Sequence, residues 1–324
     1  MSYKKKENPV ILNDFLDYLF FIKKYSINTV KEYSYDLMLF LKFLKDYMNI
    51  SKNVSEFDIF VLSKVREEDI LAFLVYLNYS RDDSGVTRKR KLASIKSFFK
   101  WLFANYPIGN IENPAINIQF CQIEERLPKY INLENAKKIM HIYNDNNSRY
   151  AIRNNTILSI FLNCGLRVSE LSKINLNDID LENKTIKIVG KGNKERIVYL
   201  NDYVVLQIKK YLQLRNKDIE VINLEDPLFL SSRKGRLTIS AIQNICLTAY
   251  KLADLEDYGY TTHTLRHTAA TILYQYVKPD ILLIKKILGH STVMSTQIYT
   301  HISDKKIKEC FDKNPLSGFE VTAA

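Results

Sequence analysis

From residue 9 to residue 105 the apolar side chains recur every three or four positions almost without a break, which restricts this part of the chain to packed helices. Ile11, Phe15, Leu19 and Ile22 share one face of a helix expected over 11–24. Val30, Tyr33, Leu37, Leu41, Leu44 and Met48 mark a second, longer helix. Thr29, with Glu32 three residues beyond it, gives that helix a capping-box start. A third helix is expected over 67–79 and a fourth over 86–104, the last with Leu92, Ile95, Phe99 and Leu102 on one side. Each stripe needs an apolar partner, so together they predict one compact helical domain.

The pattern stops at Pro107. Gly109, Pro114 and Pro128 follow with little helical periodicity, and 107–128 reads as a linker. Beyond it the chain is mixed. Helices are expected over 133–143 and 154–162, the latter running into Gly165. Residues 185–189 and 196–200 read as strands joined by the polar turn 190–195, an antiparallel hairpin. Further helices are expected over 202–217, 240–253, 263–276, 280–288 and 296–302. The fold class is mainly α with a small antiparallel hairpin or sheet. A length of 324 residues fits two domains at about 100–200 residues each.

The formal net charge is +11, which favours a polyanionic partner through counterion release, most simply nucleic acid; a positive face that only keeps the protein in solution is the plainer reading. The fourth helix sharpens the choice. It carries Arg88, Lys89, Arg90, Lys91, Lys96 and Lys100, with no acidic residue from Ser84 to Asn105, and these six are the candidate DNA-phosphate contacts. Cys121, Cys164, Cys246 and Cys310 are scattered with no CxxC pair, which argues against a zinc site or a disulfide framework and for a reducing compartment. No secretory signal and no membrane-length apolar run is present, so the expectation is a soluble, cytoplasmic protein without a membrane partner.

Chemistry concentrates at four places in the second half. Arg167 follows Gly165 in the string Cys164-Gly-Leu-Arg-Val-Ser-Glu-Leu171. Lys191 sits at the mouth of the hairpin turn. His263 and Arg266 lie at i and i+3 in His263-Thr-Leu-Arg-His267. His290 and Tyr299 lie nine residues apart. Each alone has an ordinary explanation: Arg167 can pair with Glu170, Lys191 can be an exposed turn lysine, and Tyr299 is one of 21 tyrosines. Together they supply forked phosphate donors, a proton donor, groups that titrate near neutrality and a nucleophile able to hold a phosphoryl group. No GxxxxGK[ST] loop occurs, so ATP hydrolysis is not implied.

The order Arg…Lys…His-x-x-Arg…His…Tyr resembles the tyrosine site-specific recombinase (phage integrase) family, and Xer-type recombinases most. The strings that carry it are GLRVSEL at 165–171, GKGNKER at 190–196, HTLRH at 263–267, LGHS at 288–291 and TQIYTH at 296–301. The resemblance implies an N-terminal helical core-binding domain over 1–106, a mixed α+β catalytic domain over 129–302, and a tail helix over 303–324 exchanged between subunits; packing of that tail on its own domain is the plainer alternative. It implies that Tyr299 attacks the scissile phosphate and keeps the 3′ end. Arg167, Arg266 and His290 hold the non-bridging oxygens, Lys191 protonates the departing 5′ oxygen, and His263 handles the tyrosine's proton. Glu170 supports the site from behind. No metal and no cofactor are implied. The partners implied are duplex DNA with inverted half-sites, a tetramer on two sites, a second recombinase and a DNA-translocase activator. Ala269 departs from the family, which commonly has an aromatic residue there, and His267 is read as a buried structural histidine.

The resemblance leaves alternatives open. A mobile-element integrase shares all six catalytic residues with an enzyme that resolves chromosome or plasmid dimers, and type IB topoisomerases share the chemistry. A DNA-binding regulator that has lost catalysis has no reason to keep Tyr299 and both arginines.

Overall fold

The computed structural model describes residues 3, 6–106, 111–120, 129–143, 148–190, 195–217, 223–277, 281–288 and 311–315. The chain divides into two compact units, Met1–Arg126 and Leu127–Ala324.

The first unit is helical: α1 (Val10–Asp17), α2 (Ile27–Tyr47), the short α3 (Ile59–Leu62), α4 (Glu67–Tyr79) and α5 (Gly85–Asn105). The expected first helix is not uniform, because Tyr18–Ile22 continues α1 as a π turn. Its core is strongly aromatic. Phe15 meets Phe98 with ring centroids 5.3 Å apart, and Phe40 meets Phe73 at 5.1 Å, both edge to face. The start of α2 corrects the expected cap. Ser26, in extended backbone, accepts a hydrogen bond from the Thr29 N–H, so the helix begins one turn earlier than the Thr29/Glu32 pattern implied. Glu32 is instead 3.2 Å from Arg90 on α5.

Residues 111–120, expected as linker, contribute to this unit. Ala115 and Ile118 are buried in its core, and the Lys96 Nζ donates to the Ile116 carbonyl.

α5 also shows which basic residues point outward. Lys89 and Lys100 are exposed, while Arg88 and Lys96 are half-buried. Lys91 is turned inward, 3% exposed, and ion-paired with Asp83. A buried ammonium needs a carboxylate, and Asp83, just before the helix, supplies it. Lys91 is therefore removed from the expected phosphate contacts. Arg90 is exposed but reaches the buried Asp36 at 2.5 Å, so its charge is already partly matched within the domain.

The second unit holds α6 (Leu133–Met140), α7 (Arg149–Cys164), α8 (Val168–Leu171), a three-stranded antiparallel sheet, α9 (Asp202–Asn216), α10 (Ile239–Leu252), α11 (Thr262–Ile272) and α12 (Ile281–Leu288). α7 is central and buried nearly all round, against α9 and α11. Two of its buried polar residues find partners close by: the Thr156 hydroxyl donates to the Ile152 carbonyl, and Asn163 accepts from Asn201, the cap of α9. α11 ends in a π turn, Leu273–Val277, where a continuous helix was expected.

The sheet runs β1 (Ile179–Asp180), β2 (Thr185–Val189), β3 (Glu195–Tyr199) in spatial order, one short strand more than the expected hairpin. Its register pairs Ile186 with Val198 and Ile188 with Arg196. Strand side chains alternate between faces, so Arg196 lies on the same face as the buried Val198. That one inward-facing cation shapes the site.

No helix among the described residues is long and apolar enough to cross a membrane.

Candidate active site

α7 stops at Gly165, whose φ of 62° is the left-handed conformation glycine adopts most easily. A Cβ there would lie 2.6 Å from the Leu288 side chain and 3.5 Å from the Ala269 Cβ. The small residue at 269 thus lets the turn approach α11, and the departure from the family pattern is one of packing. Two residues later Arg167 begins α8 in extended backbone.

Glu170 organises the corner beyond this turn. It is 4% exposed and accepts the Arg167 backbone N–H at 2.9 Å and the Arg167 guanidinium at 2.8 Å. Arg196 then donates fork to fork, Nη1 and Nη2 each 2.9 Å from a different carboxylate oxygen. Burial by itself raises a carboxyl's pKa. Here the hydrogen bonds and charges of Arg196 and Arg167 outweigh it and hold Glu170 down at about 2.

Arg266 stands on α11, 5% exposed, and its guanidinium bridges two backbone carbonyls, Gly165 and Leu288, each at 2.6 Å. Burial, then the neighbouring positive charge of Arg167, lowers its pKa to about 10, so it stays protonated at neutral pH. Among the described residues, Arg167, Arg196 and Arg266 thus surround one carboxylate, Glu170, three positive charges against one negative. Such a corner is electrostatically prepared for a further anion.

His263 is exposed in the first turn of α11, and His267 is exposed one turn along. The expectation of a buried His267 is therefore corrected: α11 buries Thr264, Leu265, Arg266 and Thr268, and the two histidines share its outer stripe. Burial of part of the ring, with His263 and Arg266 nearby, lowers the His267 pKa. The structure thus brings Arg167, Glu170 and Arg266 together. Lys191, His290 and Tyr299 lie outside the described residues. Arg196 was missed by sequence reading, although its place two residues before Val198, on the buried face of β3, was the available signal.

In the tail only 311–315 are described. Phe311 is 1% exposed and belongs to the second unit's own core, lining a pocket of about 250 Å³ with β3 residues Arg196 to Tyr199 and α12 residues Lys286 and Ile287.

The Glu170 arrangement makes a pH prediction. Its pKa is lowered on folding, so the stabilisation is complete above its ordinary value of 4.5 and is lost as pH falls from there towards about 2. Glu170→Gln leaves half-buried Arg196 without its counter-charge and should unfold at lower temperature at neutral pH. The gap to wild type should close as both are acidified through that window. A gap that stays constant from pH 5 to 2.5 in thermal melts would show that Glu170 is not held ionised by these arginines.

Two family models match the chain: the Phage integrase family over residues 129–306, and the Phage integrase N-terminal SAM-like domain over 12–105. Tyrosine recombinase XerC of Caldanaerobacter subterraneus subsp. tengcongensis is 39% identical over 317 residues, covering 95% of this chain and 88% of the relative. Tyrosine recombinase XerD of Oceanobacillus iheyensis is 30% identical over 305 residues, covering 93% and 96%. Among solved structures, the XerH site-specific recombinase bound to difH substrate, in a pre-cleavage complex, shares the fold with a TM-score of 0.69 at 22% identity, over 95% of this chain and 97% of that one. The family match across the second unit, a second match across the first, and relatives at this identity over nearly the whole length establish that the chain belongs to the phage integrase family of tyrosine site-specific recombinases.

Proposed function

We propose that this recombinase cuts and rejoins duplex DNA at paired inverted half-sites through a phosphotyrosine at Tyr299. The phenol oxygen attacks the scissile phosphorus, a P–O(Tyr) bond forms on the 3′ side, and the bond to the 5′ oxygen breaks. His263 takes the phenol proton and Lys191 gives one to the leaving oxygen. Arg167, Arg266 and His290 hold the non-bridging oxygens, and Glu170 with Arg196 fixes Arg167. One phosphodiester is exchanged for another at nearly even energy, so the step as proposed draws on neither metal nor ATP.

The observation that carries this reading is the corner at the end of α7, where among the described residues three arginines meet one carboxylate. We assign the first unit, residues 1–126, to DNA binding, with Arg88, Lys89, Lys96 and Lys100 on phosphates, and 129–302 to catalysis. The relatives' names, XerC and XerD, favour chromosome or plasmid dimer resolution in the cytoplasm over mobile-element integration. A tetramer on two sites, a second recombinase and a translocase that triggers exchange belong to the same reading. Exchange of the 303–324 tail would have Phe311 leave its own pocket for the equivalent one on a neighbour.

The test begins with selection of a binding site from a random duplex pool. A nicked version of that site should trap a covalent complex that survives denaturant and is removed by protease. Tight binding without any trapped complex, on top- or bottom-strand nicks, would reject catalysis in favour of a binding protein.

A further inference from the structure

At the end of α7 opposite Arg167, a second cationic cluster surrounds a small cleft. Arg149 and Arg153 come from the first turns of α7, Arg215 from the end of α9, and Ser231 and Lys234 from the turn before α10; no carboxylate lines it among the described residues. Two of these guanidinium groups are buried, Arg153 at 8% exposed and Arg215 at 1%. Their partners are neutral. Arg153 donates to the Leu230 carbonyl at 2.7 Å and to the Asn154 side chain, and Arg215 donates to the Leu228 and Pro227 carbonyls and to Asn216. These bonds satisfy the donors without cancelling the charge, and a buried charge without a counter-ion is costly. Tyr150 adds order. Arg149 and Arg153 lie 5.2 and 5.1 Å from its ring centroid, which holds both forks near the opening.

We propose that this cleft binds one phosphate of the DNA backbone, distinct from the scissile phosphate. The proposal rests on the assignment of the chain as a DNA recombinase. The free space, about 10 Å³, admits a single non-bridging oxygen, not a whole small molecule, which suits a phosphodiester presented by a larger ligand. Fork donors, a serine hydroxyl and a surface lysine are phosphate-binding chemistry. α7 has 16 residues and so spans about 24 Å at ~1.5 Å per residue. That length corresponds to roughly seven base pairs at ~3.4 Å each. The second phosphate therefore anchors the duplex well away from the point of cutting and sets its angle to the catalytic corner.

Phosphate-ethylation interference on the selected duplex tests this, using the full chain and the double variant Arg149→Gln/Lys234→Gln. Both side chains reach solvent, and thermal melting checks that the fold is kept. Wild type should show interference at the scissile phosphate and at a separate one several base pairs away. The variant should lose only the separate signal, and its log-affinity slope against log salt should become shallower by ~0.9, the value for one phosphate. Cleavage at saturating protein should be unchanged. An unchanged interference pattern in the variant would show that the cluster is an internal brace or takes an acidic protein group, and overturns the proposal. Absence of interference anywhere with wild type would instead overturn the DNA reading itself.

Discussion

Tyr299→Phe should bind the selected duplex as tightly as wild type and trap no covalent complex on the nicked substrate. The substitution removes one oxygen and leaves the ring, so any packing of residue 299 survives while the nucleophile does not. A phenol with a pKa near ~10 is mostly protonated at neutral pH, so the reaction also needs a base, and His263 on the exposed stripe of α11 is assigned to it. The chain has 21 tyrosines, which makes the alternatives worth naming. Tyr203, Tyr211 and Tyr250 are buried, and burial raises each phenol's pKa, which makes them poor nucleophiles. Tyr274 and Tyr276, more than half exposed on the π turn after α11, are the better-placed substitutes. A protease-sensitive DNA complex in Tyr299→Phe would move the nucleophile to one of them and end the assignment.

How much of the site the sequence discloses depends on how far each residue's partner lies along the chain. Arg167 and Glu170 are three residues apart, so their pairing was visible as the plain reading of GLRVSEL, and the structure keeps it. Arg196 is 26 residues from Glu170, and only the β2–β3 register turns it inward. Helical periodicity identified α2, α4 and α5 because each buries a stripe against its neighbours, but it could not sort the six basic residues of α5. Lys91 differs from Lys89 only in which side of the helix it occupies and in having Asp83 within reach. His267 was misplaced for a similar reason: its neighbours Arg266 and Thr268 are buried, and one step round the helix is enough to face outward. The Ser26 cap shows a local pattern losing to an earlier one, since Ser26 satisfies the Thr29 N–H before Thr29 is needed as a cap.

Arg266→Lys should retain DNA binding and lose at least ~10²-fold in single-turnover cleavage, the scale of removing one preorganised charge-stabilising donor. The reason is geometric. The two Nη atoms of Arg266 reach in different directions, to the Gly165 carbonyl at the start of the Arg167 turn and to the Leu288 carbonyl at the end of α12. Sequence carries the chain from Leu288 directly through Gly289 to His290, so one side chain ties together the approaches to two other candidate phosphate ligands. A lysine ammonium has no planar fork and cannot span both. Electrostatics makes the exchange worse. The burial and the neighbouring Arg167 charge that lower the pKa of Arg266 would lower a lysine's too, from an ordinary value already closer to neutrality. The variant's residual cleavage should therefore fall further as pH rises from 7 to 9, over which range the wild-type arginine remains charged. Arg167→Lys should be the milder change, because Glu170 still holds the residue-167 N–H and the Arg196 fork. Near wild-type cleavage by Arg266→Lys across that pH range would mean that Arg266 contributes only diffuse charge, and that the two carbonyl contacts do not position the site.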